Sequence, residues 1–286
     1  MAVQNERGSR TIKRTVTRTC TYLILAAAAC FTMFPILWAV STSLKPESEV
    51  LMYPPSFIPL TLTFENYYKV LFQSNYPVYF CNTILVTAIT MLAAVMISSH
   101  AAYAFARLKF RFSDAIMFAV LMTAMIPAVA QLSPLYVLSV KTGLYNTKLV
   151  LILIYAAWRT PIMTWLLKGF FEQTPKEIEE AAVMDGCSRI KIFYQMVLPM
   201  SKPGIASVAL LSAVFVWNDY LVSSSFVSSE QNRMLSIGIY NYVTAYGTMY
   251  GQLMGGVCMA IVPIVILFIC LQKQFVAGLT AGAVKG

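Results

Sequence analysis

Apolar runs of about twenty residues recur along this chain, and no other feature limits its fold so strongly. A helix needs about 20 such residues, rising 1.5 Å each, to cross the roughly 30 Å hydrocarbon core of a bilayer. Six runs have that character, at about 20–40, 82–105, 114–140, 149–167, 204–226 and 253–271. With 58% hydrophobic and only 12% charged residues in 286, buried helices of a soluble protein are the poorer reading. The pattern predicts an all-α integral membrane protein with six transmembrane helices. The first run, Cys20 to Val40, is longer than a signal-peptide core and lacks a clear small-residue cleavage site, so it reads as a retained membrane helix.

Six spans put both termini on one side, and the cations choose the side. With the N-terminus inside, the inner segments hold Arg7, Arg10, Lys13, Arg14, Arg18, Arg107, Lys109, Arg111, Lys168, Lys176, Arg189, Lys191, Lys202, Lys273 and Lys285. The outer segments hold only Lys45, Lys69, Lys141, Lys148 and Arg233. The positive-inside rule then places both termini in the cytoplasm. The expected organisation is a basic tail over 1–19, a first transmembrane helix over 20–42, an external loop over 43–80 and a five-helix core over 81–271. A cytoplasmic tail follows over 272–286. The external loop is expected to carry a short amphipathic helix near Phe64–Phe72. Pro127 and Pro134 predict a kinked or broken third helix, and Gly251 and Gly255 form a GxxxG packing surface at the start of the sixth.

A net charge of +9 follows this topology rather than a basic face, so nucleic acid is not an expected partner. There is no GxxxxGK[ST] to cradle a phosphate, no HExxH, no CxxC among the six cysteines, and one histidine, His100. No catalytic residue, metal ligand or cofactor of its own is expected. The polar groups at membrane depth are the candidates for a translocation path: Asn82, Gln131, Arg159, Asn218 and Asp219. Asp219 lies about 20 Å along the fifth span at 1.5 Å per residue. Such a carboxylate either faces a water-lined path or makes a buried structural hydrogen bond. Arg159 has the same two readings, and the two can be imagined as a pair.

The longest charged interruption of the second half, within 172–203, is built as an elbow. Thr174 and Glu177 have the spacing of a capping box with Pro175 at the first helical position. Ile178, Ala181, Ala182 and Asp185 share a helical face. Gly186 stops that helix, Ser188 caps a second, and Pro199 is expected to end it.

Glu180-Ala181-Ala182, three residues, Gly186, nine residues, then Met196-Val197-Leu198-Pro199 resembles the EAA loop of ABC-importer permeases, with Met196 at the usual isoleucine. Glu179 and Asp185 around it look like the carbohydrate branch, as do Ser43-Leu44-Lys45-Pro46, Asn66-Tyr67, Ala102 to Arg107, Trp217-Asn218-Asp219 and the tail from Gly278 to Gly286. The chain is similar to the shorter of the two paired subunits of the maltose-type uptake family. That resemblance implies a type I ABC-importer permease fold in the bacterial inner membrane. It implies a second homologous permease subunit, a dimer of cytoplasmic ABC ATPases carrying the ATP and Mg, and an extracytoplasmic solute-binding protein. It assigns Glu179, Glu180, Ala181, Ala182, Asp185, Gly186, Leu198 and Pro199 to ATPase coupling. The implied cargo is a sugar or oligosaccharide. A permease for another solute, such as a glycerol phosphate ester, and an ion-coupled secondary transporter are the alternatives.

Overall fold

A computed structural model describes the backbone of residues 2–108, 110–244 and 247–283, and the side chains of 17–108, 110–243 and 247–274. The side chains of Arg7, Arg10, Lys13, Arg14 and Lys109, and those of the tail from Gly278 to Gly286, lie outside the described residues. The chain divides into two compact units, 1–73 with 242–259, and 74–241 with 260–286.

In the first unit, α1 (Ala2–Ser43) leads through α2 (Glu47–Val50) to α3 (Glu65–Phe72), the short helix expected in the external loop. The loop is ordered by its own polar groups. Glu49 accepts the N–H groups of Leu60 and Thr61, at 2.8 and 3.1 Å. Buried Asn66 donates to the carbonyls of Ser43 and Lys45, at 2.9 and 2.8 Å.

The second unit opens with α4 (Tyr76–Arg107). A broken pair follows, α5 (Ser113–Ala124) and α6 (Ala128–Lys141), bent by 89° where Pro127 withholds its N–H. Then come α7 (Lys148–Gln173), α8 (Lys176–Met184) and α9 (Arg189–Ile192), a π turn over Phe193–Val197, and α10 (Leu198–Met200). The fifth apolar run is shorter than expected: α11 ends at Asn218 (Lys202–Asn218), and a separate α12 covers Leu221–Phe226. A 3-10 turn at Glu230–Asn232 and α13 (Leu235–Tyr240) complete the connection.

Back in the first unit, β1 (Val243–Thr244) and β2 (Gly247–Thr248) form a small antiparallel hairpin that the sequence reading did not foresee. The last helix, α14 (Tyr250–Ala283), starts in the first unit and ends in the second. Its first turn is capped from far away in sequence, because Glu47 accepts the N–H groups of Tyr250 and Gly251. Gly251 and Gly255 lie against α3, where a Cβ on Gly251 would sit 2.6 Å from the Asn66 side chain. That packing is why 242–259 groups with the external loop rather than with the core expected from residue 81.

Among the described residues, four helices are long and apolar enough to cross a membrane unbroken: Thr17–Ser43, Tyr76–Arg107, Lys148–Gln173 and Tyr250–Gln274. Two bent pairs, Ser113–Ala124 with Ala128–Lys141 and Arg189–Met200 with Lys202–Asn218, raise the total to six. The protein is therefore an all-α membrane protein with spans in the expected order. One apolar cluster joins Val86, Leu151, Tyr155, Val216 and Phe226, and another joins Ala94, Met163, Phe171, Ile192, Phe193 and Val208. α4 and α7 run side by side through both.

Candidate coupling elbow and membrane cavity

The elbow forms where expected, by partly different means. Gly186 takes φ +80°, a left-handed conformation open to glycine at little cost. Its N–H reaches the carbonyl of Val183, and the N–H of Cys187 reaches that of Ala182, both at 2.9 Å. Those two bonds make a Schellman end to α8. Ser188 then caps α9 through the Lys191 N–H at 3.3 Å.

The capping box at Thr174 does not form. α8 starts one residue later than expected, with Pro175 at the N-cap, so Glu177 falls at the second helical position and not the third that a capping box needs. The Thr174 carbonyl is claimed instead by Arg107, at 2.8 Å. Arg107 at the end of α4 binds three acceptors: Glu179 Oε1 at 2.5 Å and the carbonyls of Phe171 and Thr174. Tyr103, one turn earlier, donates to Glu179 Oε2 at 3.1 Å. The Arg107 and Glu179 side chains are only 7% and 12% exposed, so the elbow is anchored to α4 by an enclosed ion pair. Tyr103 and Arg107 stand at i, i+4 on one face of α4, the one sequence signal that pointed there.

Ala182 corrects the expected outer face. It is buried in the cluster of Phe171, Ile192 and Phe193, because the face carrying Glu179 and Ala182 turns towards α4. The outward face carries Glu180, Ala181, Val183, Met184, Asp185 and Gly186. Met184 is 87% exposed and Ile190, across the bend, 73%. Pro199 does not end the second helix. The helix continues to Met200 and then turns by 77° into α11, with Leu198 packed on the core and Pro199 exposed. The π turn precedes Pro199, which has no N–H to return to Gln195. His100 on α4 bridges the Met96 carbonyl and the Tyr194 hydroxyl at 2.7 and 2.8 Å.

The five polar candidates at membrane depth separate. Gln131 and Arg159 line one cavity of about 840 Å³, walled by α5, α6, α7 and Phe215 of α11. Asn82 spends its amide on the carbonyls of Gln231 and Arg233, at 2.8 and 2.9 Å. Asn218 is exposed at the end of α11 and donates to Val214 O. Asp219 caps α12 through the N–H groups of Val222 and Ser223 and accepts the Tyr155 hydroxyl at 2.7 Å. The imagined pair with Arg159 is absent. Arg159 lies instead over the Phe215 ring, with Cζ 4.4 Å from its centroid. Trp158 and Phe215, not singled out from sequence, complete the cavity wall.

Known proteins match this architecture along most of the chain. The binding-protein-dependent transport system inner membrane component family matches residues 94–279, a stretch that takes in both the elbow and the cavity. The galactooligosaccharides transport system permease protein GanQ of Bacillus subtilis (strain 168) is 32% identical, covering 96% of this chain and 98% of that protein. The trehalose/maltose transport system permease protein MalG of Thermococcus litoralis is 34% identical over 92% of this chain and 94% of its own. The melibiose/raffinose/stachyose import permease protein MelC of Bacillus subtilis (strain 168) is 34% identical over 92% and 95%. A crystal structure of a bacterial ABC transporter involved in the import of the acidic polysaccharide alginate superimposes with a TM-score of 0.78 at 22% identity, covering 91% of this chain and 96% of that one. That likeness shows the fold, and the sequence matches show the lineage: the chain belongs to the family of binding-protein-dependent transport system inner membrane components and is a membrane-embedded transport permease.

Proposed function

We propose that this permease is one half of the translocation path of a bacterial inner-membrane ABC importer for a sugar or oligosaccharide. The other half is a second homologous permease subunit. The elbow faces the cytoplasm and engages a dimer of ABC ATPases, which carry the ATP and Mg. An extracytoplasmic binding protein delivers the cargo. The galactooligosaccharide, trehalose/maltose and melibiose/raffinose/stachyose permeases among its relatives support a saccharide cargo.

The observation that carries the coupling role is the elbow itself. Its inner face is locked to α4 through Glu179 and Arg107, while its outer face presents exposed Ala181, Val183, Met184 and Ile190. Exposed apolar groups on a rigid mount suit a socket in another protein. ATP-driven closure of that socket would pull on α4 and α7 through Arg107, whose acceptors include the end of α7 at Phe171. Met184→Glu tests this without disturbing the core, since the side chain is outside it. The expected result is loss of ATPase co-purification and of uptake, with the permease still in the membrane. Normal uptake and co-purification in Met184→Glu would refute the coupling role.

A further inference from the structure

Arg159 is a charge at membrane depth that the described residues leave unanswered. It sits eleven residues into α7, about 16 Å from that helix's start at 1.5 Å per residue, near the middle of a roughly 30 Å hydrocarbon core. A charge at that depth normally has a partner. Among the described residues Arg159 makes no ion pair, and its Nε is enclosed with no hydrogen-bond partner. The carboxylate imagined as its partner, Asp219, is committed to Tyr155 and to the cap of α12. Phe215 supports one face of the guanidinium, which leaves the N–H edge for a planar acceptor.

The rest of the cavity wall is mostly apolar, with a few placed polar groups. The Gln131 amide is fixed at both ends, accepting the Trp158 indole N–H at 2.9 Å and donating to the Ile126 carbonyl at 3.0 Å. One amide N–H remains for a ligand. Thr123, Ser139 and Thr142 give their hydroxyl protons to helix carbonyls, which leaves those oxygens only acceptor capacity. Aliphatic and aromatic walls suit the carbon faces of a sugar ring, and the fixed Gln131 amide can meet one of its hydroxyls. A volume of about 840 Å³ is within the range of small-molecule sites. None of those groups answers the cation.

We propose that this cavity binds a saccharide carrying an anionic group, a carboxylate, sulfonate or phosphate, and that Arg159 is its specificity-determining countercharge. The proposal rests on the sugar-importer reading above and narrows its substrate class. The same anion chemistry is available from an acidic side chain of the second permease subunit. The size of the cavity favours the substrate, because one acidic side chain from a neighbouring subunit would leave most of about 840 Å³ unfilled.

The test uses the whole importer in liposomes: this chain, its permease partner, the ATPases and the binding protein. ATP-driven uptake of galacturonate and glucuronate oligomers of one to four residues is compared with that of galactose and glucose oligomers of the same lengths. Wild type is expected to prefer a member of the acidic series. Arg159→Gln should lower acidic uptake by about tenfold or more while sparing any neutral uptake, as expected for a lost charge-assisted hydrogen bond. Arg159→Lys, which keeps the charge but not the fork, should fall between the two. It also serves if Arg159→Gln fails to assemble, and unchanged acidic uptake in Arg159→Lys and Arg159→Gln overturns the proposal. A neutral preference that Arg159→Gln leaves intact overturns it while leaving the sugar-importer reading standing. Loss of the permease partner from the Arg159→Gln complex, with selectivity unchanged, assigns the charge to the subunit seam and also overturns it. Uptake of neither series, with no ATPase response to any saccharide, overturns the sugar reading and this proposal with it.

Discussion

Removing the Glu179 carboxylate should loosen the elbow without unfolding the bundle. Breaking an enclosed ion pair by deleting one partner costs about 3–5 kcal/mol. Glu179→Ala belongs at the lower end, about 3 kcal/mol, because Arg107 keeps its two carbonyl acceptors at Phe171 and Thr174. Glu179→Gln retains a hydrogen bond to Arg107 and should cost about 1–2 kcal/mol. Arg107→Ala loses all three acceptors and should cost more than either. The assay is hydrogen exchange of the amides of α8, followed by mass spectrometry on the purified complex. A 3 kcal/mol loss in local opening corresponds to exchange about a hundredfold faster over 176–184, while α7 is unchanged. In a double-mutant cycle, adding Glu179→Ala to Arg107→Ala should cost little further, because the two share one interaction. Unchanged exchange in Glu179→Ala, or additive effects in the cycle, would refute the anchor.

Other outcomes follow from the same packing. Gly251→Ala would push a Cβ to 2.6 Å from Asn66, whose bonds to Ser43 and Lys45 order the external loop, so it should destabilise that unit by about 1–3 kcal/mol, read as a drop in thermal midpoint. Gly186→Ala has free space but keeps φ +80°, so a loss of only about 1–2 kcal/mol is expected in the elbow, whereas Gly186→Pro, barred from positive φ, should abolish uptake. The Leu60 N–H bonded to Glu49 holds that carboxyl below the usual carboxylate range, against partial desolvation and with help from Thr61, Ser56 and Lys45. A depressed folded value means the loop's stabilisation is complete above the unfolded carboxylate pKa and is lost as pH falls through the lower folded one. Limited proteolysis of 51–63 should therefore quicken only in acid, and Glu49→Gln should remove that dependence.

The parts of this protein legible in sequence were those governed by local chemistry. Gly186 and Ser188 set the bend of the elbow by a positive φ and a side-chain cap, both readable from a few neighbouring residues. Pro127 broke the third span for an equally local reason. The errors came where distant residues decided. Thr174 and Glu177 had the spacing of a capping box, but Arg107, 67 residues upstream of Thr174, took the threonine carbonyl and moved the helix start. Ala182 looked like part of an outer face until Glu179 turned its side of α8 inward. Asp219 had two readings, and the buried hydrogen bond is the one that formed: it follows one helix and caps the next, with Tyr155, 64 residues upstream, as its partner. Gln131 and Arg159 were marked by depth alone. Their meeting in one cavity depends on the 89° bend between α5 and α6, whose size no periodicity specifies.

The central claim is that the outer face of the elbow meets an ATPase. A photo-crosslinking residue at Met184, placed in the intact importer in native membranes, tests it most directly. The account predicts an ATP-sensitive adduct with the ATPase subunit from position 184, and none from Leu23 on the exposed flank of α1. Membranes that support full ATP-driven uptake yet give no ATPase adduct from position 184 would contradict it.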